Sequence, residues 1–187
     1  MKTRAFISIL SVAVMAILSG FVLWKTMIEQ INLGQFGLGG IFLASMFSHM
    51  TIVARDMFVP MFLSLSSIYN PLLLGTITGW GGAIGDVSAY FLGWGVAETV
   101  RGNEEKNDRL SIWIGRYGLW AILLFSVTPL PDTPIVMLAG SSRLPFRKIL
   151  LAQGVGKMFL YSLGAVVGGF VFTELTESVG RIYASLL

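Results

Sequence analysis

The sequence contains no cysteine and a single histidine, His49. The lack of cysteine excludes disulfide bonds and thiolate chemistry, and with one histidine it argues against a structural zinc site. The sequence also lacks a Ser-His-Asp set with usable spacing, a cluster of metal ligands and a phosphate-binding loop ending in Lys-Ser or Lys-Thr. We therefore expect neither enzymatic activity nor a cofactor.

Charged residues are scarce as well. They make up 12% of the 187 residues, whereas 55% are hydrophobic, and the mean hydropathy is +0.77. Soluble domains carry roughly 25% charged residues, so this composition predicts an integral membrane protein. The net charge of +3 could suggest a nucleic-acid partner, but the basic residues do not cluster on a polar scaffold, and we expect none.

Two hydrophobic stretches are interrupted near their middle by prolines and charges. The first interruption runs from His49 to Pro60 and includes Arg55 and Asp56, and the second covers residues 128–134. Backbone that is not helical inside a bilayer must be satisfied by other protein groups or by water in a cavity. Interrupted segments at corresponding places in two halves of a chain are typical of a transport site at the membrane midplane.

The hydrophobic runs and turn residues divide the chain into segments of one membrane domain. Ala5 to Trp24 is a run of twenty residues without a charge, which is long enough to span a bilayer. A straight lipid-facing helix through Arg55 and Asp56 would cost about 2.5–3.5 kcal/mol per charge, and a re-entrant hairpin avoids that cost. We predict a first transmembrane helix at 5–24, a re-entrant hairpin at 33–69, a transmembrane helix at 70–97, a cytoplasmic loop at 98–109, a second hairpin at 110–142, a transmembrane helix at 146–172 and an amphipathic tail at 173–187.

The distribution of basic residues predicts the orientation. Nine of the thirteen lysines and arginines would lie on the side of the N-terminus, which the positive-inside rule places in the cytoplasm. The two hairpins would then enter from opposite sides of the cell membrane. The fold class we expect is therefore an all-α polytopic membrane protein with two inverted repeats, each a re-entrant hairpin followed by a glycine-rich transmembrane helix.

Four motifs occur in a fixed order over about residues 35–172. They are Gly81-x3-Gly85-Asp86-x3-Tyr90-x2-Gly93, Phe125-x2-Thr128-Pro129-x-Pro131-Asp132, Ala139-Gly140-x2-Arg143-x2-Phe146 and Gly154-x-Gly156-Lys157. Together they resemble the DedA or VTT-domain family, also called SNARE-associated Golgi proteins. The resemblance implies two facing re-entrant loops and movement of lipids across the bilayer, with polyprenyl-phosphate carriers as substrates of bacterial members and phospholipids as substrates of eukaryotic ones.

The chain departs from the bacterial pattern at two positions. Many bacterial members have an arginine pair around the second break, where this chain has Ser126 and Asp132. The second motif, Thr-Pro-x-Pro-Asp, resembles that of short archaeal-type members. The acidic residue that the family carries at the first loop tip is best matched by Asp56.

Five charged residues are candidates for binding a substrate or a proton: Arg55, Asp56, Asp86, Asp132 and Lys157. Asp56 and Asp132 occupy corresponding places in the two breaks, where a carboxyl group could exchange protons or cap a broken helix. Arg55 and Lys157 could bind a phosphate head group, although Arg55 could instead pair with Asp56. Asp86 is expected inside an unbroken helix, hydrogen-bonded to a re-entrant segment in a structural role or a proton relay.

Prolines and glycines have structural roles in this interpretation. Prolines lack the backbone N–H that a helix needs, so the expected helix breaks are at Pro60, Pro129, Pro131 and Pro134. Small residues four apart allow helices to approach closely, and the pairs expected to pack in this way are Gly75/Gly79, Gly81/Gly85 and Gly164/Gly168.

The function predicted from these features is transport of an anionic or polyprenyl-phosphate-type lipid, by a flippase or scramblase, with a proton as candidate coupling ion. Two alternatives remain open. One is a proton-coupled exporter of small amphipathic cations, which paired carboxylates would suit. The other is a membrane organiser that transports nothing and whose glycine faces serve homo-oligomerisation or assembly with a partner.

Overall fold

The computed structural model describes residues 9–14, 17, 21, 36–51, 58–100 and 109–186. Within these ranges the chain is helical, with turns but no strand. Besides a helical segment at 9–14, the helices are α1 (Gly37–Met50), α2 (Val59–Ser66), α3 (Pro71–Gly85), α4 (Val87–Val100), α5 (Arg109–Val127), α6 (Thr133–Ser141) and α7 (Phe146–Leu186).

Apolar length differs among these helices. In the described part of the chain, one stretch is both long and apolar enough to cross a membrane, Phe146–Phe170, with a mean hydropathy of 1.4. Gly37–Met50 and Ile112–Val127 are apolar but shorter. Of the predicted first transmembrane helix at 5–24, residues 9–14 are helical, and most of the others lie outside the described residues, as does most of the loop at 98–109.

The helices pack around a central pair formed by α3 and α7, which have the most extensive contact. The long arm of each hairpin lies on the helix that follows it, α1 on α3 and α5 on α7. Each short arm packs on the half of the molecule to which it does not belong, because α2 contacts α7 and α6 contacts α4. The short arm α2 therefore lies against the central pair.

Two hydrophobic clusters flank the middle of this pair. The first is built from α1, α2, α3 and α7, and the second from α4, α5, α6 and α7. On α7 the first cluster includes Ala165 and the second includes Ile149. Lys157 lies midway between them, so the polar centre of the molecule is enclosed by apolar packing on both sides.

Two predicted boundaries differ from the structure. The predicted helix at 70–97 is interrupted at Asp86, which separates α3 from α4. Two helical hydrogen bonds nevertheless span the interruption: the Asp86 N–H donates to the Gly82 carbonyl, and the Tyr90 N–H donates to the Asp86 carbonyl. Ser88 Oγ donates to the Gly85 carbonyl at 3.0 Å, which compensates for the interruption. At the C-terminal end, the helix predicted at 146–172 and the amphipathic tail predicted at 173–187 form one helix, α7, which continues to Leu186 because no proline interrupts it.

Helix α6 is followed by an arginine with left-handed backbone. Arg143 has a φ of 56°, and the Leu144 N–H donates to the Ala139 carbonyl at 3.0 Å, as in a Schellman cap where glycine is usual. The Arg143 guanidinium, which is exposed, forms an ion pair with Glu98 at the end of α4. The ion pair offsets part of the backbone strain.

We expect Arg143→Gly and Arg143→Ala to differ in stability although both remove the ion pair. Glycine adopts a positive φ without strain, so Arg143→Gly should change the free energy of unfolding by less than about 0.5 kcal/mol, since an exposed ion pair contributes little. Arg143→Ala keeps the strain that the arginine already has, so it should be less stable than Arg143→Gly by about 1 kcal/mol. Denaturant unfolding in detergent micelles measures both, and equal stabilities would contradict the prediction.

Candidate functional site

Three polar side chains lie on one face of α7. Gln153, Lys157 and Tyr161 are each four residues apart, so they project from the same side of the helix. Gln153 and Lys157 are both 2% exposed. A buried lysine in an apolar helix requires partners of opposite charge, because an unpaired buried charge is costly.

The partners of Lys157 are two aspartates from different elements. Its ammonium group contacts the carboxylate of Asp86, which lies at the interruption between α3 and α4, and is 3.4 Å from Oδ2 of Asp132. Both aspartates are buried, at 0% and 1% exposure. The lysine therefore joins the central helix pair to the tip of the second hairpin.

Gln153 and Ser126 complete this polar cluster. The Gln153 amide donates to Oδ2 of Asp86 at 2.8 Å and to Oδ2 of Asp132 at 3.3 Å. Ser126 Oγ lies 3.5 Å from the same oxygen of Asp132. One oxygen of Asp132 is thus approached by an ammonium, an amide and a hydroxyl group, which fixes the position of the hairpin tip.

The carboxylate of Asp132 does not cap a helix. Asp132 is the N-cap residue of α6, but its side chain makes no capping hydrogen bond and is directed to Lys157 and Gln153 instead. The capping role considered from the sequence is therefore wrong for this residue. Asp86 likewise contacts α7 rather than a re-entrant segment through its Oδ2.

A second polar group next to the cluster links α7 to α1. Nδ1 of His49 is 2.8 Å from the carbonyl of Ser45, which can only accept, so Nδ1 carries a proton. In the neutral ring Nε2 then accepts from the hydroxyl of Tyr161, 3.1 Å away. Phe58 packs against both rings, at centroid distances of 5.6 Å.

A cavity of about 300 Å3 opens beside these groups. Residues of α2, of the second hairpin tip and of α7 line it, so the two hairpins meet at one space. Its polar lining includes Asp132, Lys157, Ser126 and Tyr161. Its other lining residues are Val59, Phe62, Leu63, Phe125, Thr128, Pro129, Leu130, Leu160 and Gly164. A space with polar groups at one wall and apolar groups around it suits an amphiphile.

The structure brings together three of the five charged residues predicted from the sequence: Asp86, Asp132 and Lys157. Arg55 and Asp56 lie outside the described residues. Pro129 and Pro131 are in the tip between α5 and α6, whereas Pro60 and Pro134 lie in the first turns of α2 and α6, where a proline is compatible with a helix.

The predicted packing glycines fall into two groups. At Gly75, Gly79, Gly81 and Gly85 an added Cβ would lie 2.3–2.5 Å from an atom of a neighbouring helix, and at Gly168 it would lie 2.6 Å from Leu63. Gly164 differs, because its nearest neighbour is Phe62 at an ordinary 3.7 Å and it borders the cavity. Gly164 therefore provides space in the cavity rather than close helix packing.

Sequence reasoning did not identify Gln153 and Tyr161 as site residues. Their four-residue spacing from Lys157 was the available signal, since a row of polar side chains on an apolar helix marks a buried polar face. Ser126 was noted only as a departure from the bacterial pattern, and His49 only as the single histidine.

Tyr161→Phe tests the hydroxyl of this pair without removing the ring. The substitution retains the aromatic contacts with Phe58 and Phe62 but removes the hydrogen bond to His49. We expect the free energy of unfolding to fall by about 0.5–1.5 kcal/mol, the usual net value of one hydrogen bond. Thermal unfolding in detergent measures this, and an unchanged stability would show that the hydroxyl contributes nothing to the fold.

Comparison with known proteins relates the chain to a family. A family model described as the VTT domain matches residues 58–170, a range that includes both aspartates, Lys157 and the second hairpin. No curated protein and no solved structure matches the chain.

Proposed function

The chain belongs to the VTT-domain family, and we propose that it is a multi-pass transporter of the cell membrane with a cytoplasmic N-terminus. The VTT domain is the domain of the DedA family, whose members are membrane-associated and generally not enzymes. Its substrate is an anionic or polyprenyl-phosphate-type lipid. Family membership is consistent with a membrane transporter. The head group crosses through the cavity while the hydrocarbon tail stays in the bilayer.

One observation carries this proposal: the two hairpins border a single cavity whose polar wall holds Lys157 and Asp132. The remaining walls are mostly apolar, so a charged head group finds partners at one side only. Hairpins that meet at a central polar space are the arrangement expected of an inverted-repeat transporter. Arg55 and Asp56, in the segment between α1 and α2, would add to the site from the first hairpin.

The geometry of Lys157 suggests how a proton is coupled to transport. Lys157 contacts Asp86 more closely than Asp132, whose Oδ2 is 3.4 Å away. A proton taken up by Asp132 removes the attraction between these two groups, and the ammonium can then donate to a phosphate in the cavity. Loss of the proton restores the pair and expels the phosphate. Asp86 keeps Lys157 in position throughout.

Asp132→Asn tests this role. The amide has almost the same shape as the carboxylate but does not exchange protons. We therefore expect the rate of lipid transport to fall at least tenfold and to become independent of pH. Transport is measured in liposomes that contain fluorescent lipid analogues with phosphate head groups, from the fraction accessible to a reductant outside. Glu98→Gln is the matched control, because Glu98 pairs with Arg143 at the far end of α4. Equal rates in both variants would exclude Asp132 from the mechanism.

A second candidate function, export of small amphipathic cations, is favoured by a specific observation. Hydroxyl groups that line the cavity already donate to protein acceptors: Tyr161 to His49, Ser126 towards Asp132 and Thr128 to the carbonyl of Phe125 at 3.1 Å. They can therefore only accept from a ligand, and acceptors beside a carboxylate suit an ammonium group.

The same liposomes distinguish these candidates. Movement of phosphate-bearing lipids between leaflets supports lipid transport, whereas uptake of a fluorescent cation driven by a pH gradient, without lipid movement, supports the exporter. Failure of both assays with folded protein would favour the membrane organiser.

A further inference from the structure

A second concave surface lies on the outside of the molecule between α5 and α7. It is an apolar groove of about 350 Å3 and shares no lining residue with the cavity described above. The residues that line it are Leu119, Trp120, Leu123, Lys148, Leu151, Ala152 and Val155. Trp120 is 72% exposed and Leu151 is 56% exposed, so the groove is open along its length.

The groove has one charged end. Helices α5 and α7 run in the same direction, because Gly118 lies against Leu144 whereas Gly156 lies against Ser126. Lys148 therefore marks the end of the groove nearer the start of α7. At 1.5 Å per residue along the helix, Lys148 and Val155 are about 10 Å apart. Within the described part of the chain no ion-pair partner of Lys148 is found.

Aromatic and basic side chains extend this charged end along α5. Trp113 and Tyr117 are exposed, with ring centroids 5.8 Å apart, and the guanidinium of Arg116 lies 5.7 Å from the centroid of the Tyr117 ring. Exposed tryptophan, tyrosine and arginine on one helix end are typical of the level of lipid head groups. In a membrane-spanning chain these side chains favour a position of the Lys148 end of the groove at the bilayer interface, with the apolar end deeper.

We propose that this groove is a binding site for an anionic phospholipid that is not transported. One acyl chain lies between α5 and α7 on Leu123, Leu151 and Val155, and the phosphate pairs with the ammonium of Lys148. Charge complementarity selects this occupant, because a basic residue between transmembrane helices at the interface attracts anionic head groups. The bound lipid holds together the two helices that carry Ser126 and Lys157.

The experiment uses the full chain in detergent and two lipids with the same brominated acyl chains, phosphatidylglycerol and phosphatidylcholine. Bromine quenches tryptophan fluorescence at short range, and the contribution of Trp120 is obtained by subtracting the signal of Trp120→Phe. Phosphatidylglycerol should quench Trp120 at about fivefold lower concentration than phosphatidylcholine, the factor expected for one lysine at a membrane surface.

Four variants test the site. Lys148→Gln should abolish the preference for phosphatidylglycerol, and Val155→Phe should fill the groove without adding a tryptophan and prevent quenching by both lipids. Arg147→Gln removes a neighbouring exposed charge that does not line the groove and should behave like the unmodified chain. Asp132→Asn should bind the lipid normally, which separates this site from the proposed transport function.

Two results would overturn the proposal. Equal quenching by both lipids, or a preference that Lys148→Gln retains, would show that Lys148 does not select the lipid. A second copy of the chain would cover the groove instead if Trp120 were protected from quenching at high protein concentration. Sedimentation would then show dimers at the same concentration.

Discussion

Lys157→Met is expected to abolish transport and to lower the free energy of unfolding by about 3–5 kcal/mol, the range measured when one partner is removed from a buried ion pair. Methionine has nearly the length of lysine, so little packing volume is lost. The loss arises instead because the carboxylates of Asp86 and Asp132, both almost fully buried, are left close together without the ammonium group between them.

A double variant separates the effect on stability from the effect on transport. In Lys157→Met with Asp86→Asn, one of the two carboxylates has become neutral, so we expect recovery of at least half of the lost stability. Transport should remain absent, because no ammonium group faces the cavity from α7. Reversible denaturation in micelles and the liposome assay provide the two measurements. If Lys157→Met were as stable as the unmodified protein, the ion pairs would have no structural role.

Local signals allowed much of the fold to be predicted from the sequence. Pro129 and Pro131 interrupt the second hairpin between α5 and α6, since proline cannot continue a helix. The helix predicted to begin at residue 70 is α3, which begins at Pro71, and the Asn70 side chain accepts from the Leu72 N–H at 2.9 Å. These features depend on a few neighbouring residues, so they can be recognised in one sequence without knowledge of the packing.

Features that depend on helix packing were less predictable. The sequence placed Asp86, Asp132 and Lys157 among the candidates, but their meeting at one point depends on how α3 and α7 cross and on where the second tip reaches α7. The interruption at Asp86 has no proline to mark it. The sequence predicted separate segments at 146–172 and 173–187, whereas α7 continues to Leu186, since many polar residues are good helix formers and do not end a helix.

The contact between α3 and α7 leads to the second large prediction, that any side chain at position 79 destabilises the fold. A Cβ at this position would lie 2.5 Å from the backbone nitrogen of Met158 and 2.8 Å from the carbonyl carbon of Lys157. Both are main-chain atoms, so the clash cannot be relieved by a change of rotamer. The two helices would have to separate at the residue that carries the ammonium group, which would disturb the packing of the fold and its polar cluster together.

Gly79→Ala should therefore lower the free energy of unfolding by about 1–3 kcal/mol, as overpacking of a tight core does, despite the higher helix propensity of alanine. Gly115→Ala is the matched control, because Gly115 lies within α5 and has no atom within 4 Å of an added Cβ. The control should gain up to about 1 kcal/mol from helix propensity. The same substitution therefore changes the free energy of unfolding in opposite directions at the two positions.

A larger side chain sharpens the contrast. Gly79→Leu should yield no folded protein, whereas Gly115→Leu should express and unfold like the unmodified chain. Size-exclusion chromatography in detergent reports folding, and chemical denaturation gives the stabilities of the alanine variants. A folded Gly79→Leu protein that still transports lipid would mean that α3 and α7 are not held at this distance in the membrane, and the polar cluster between them would then lose its structural basis.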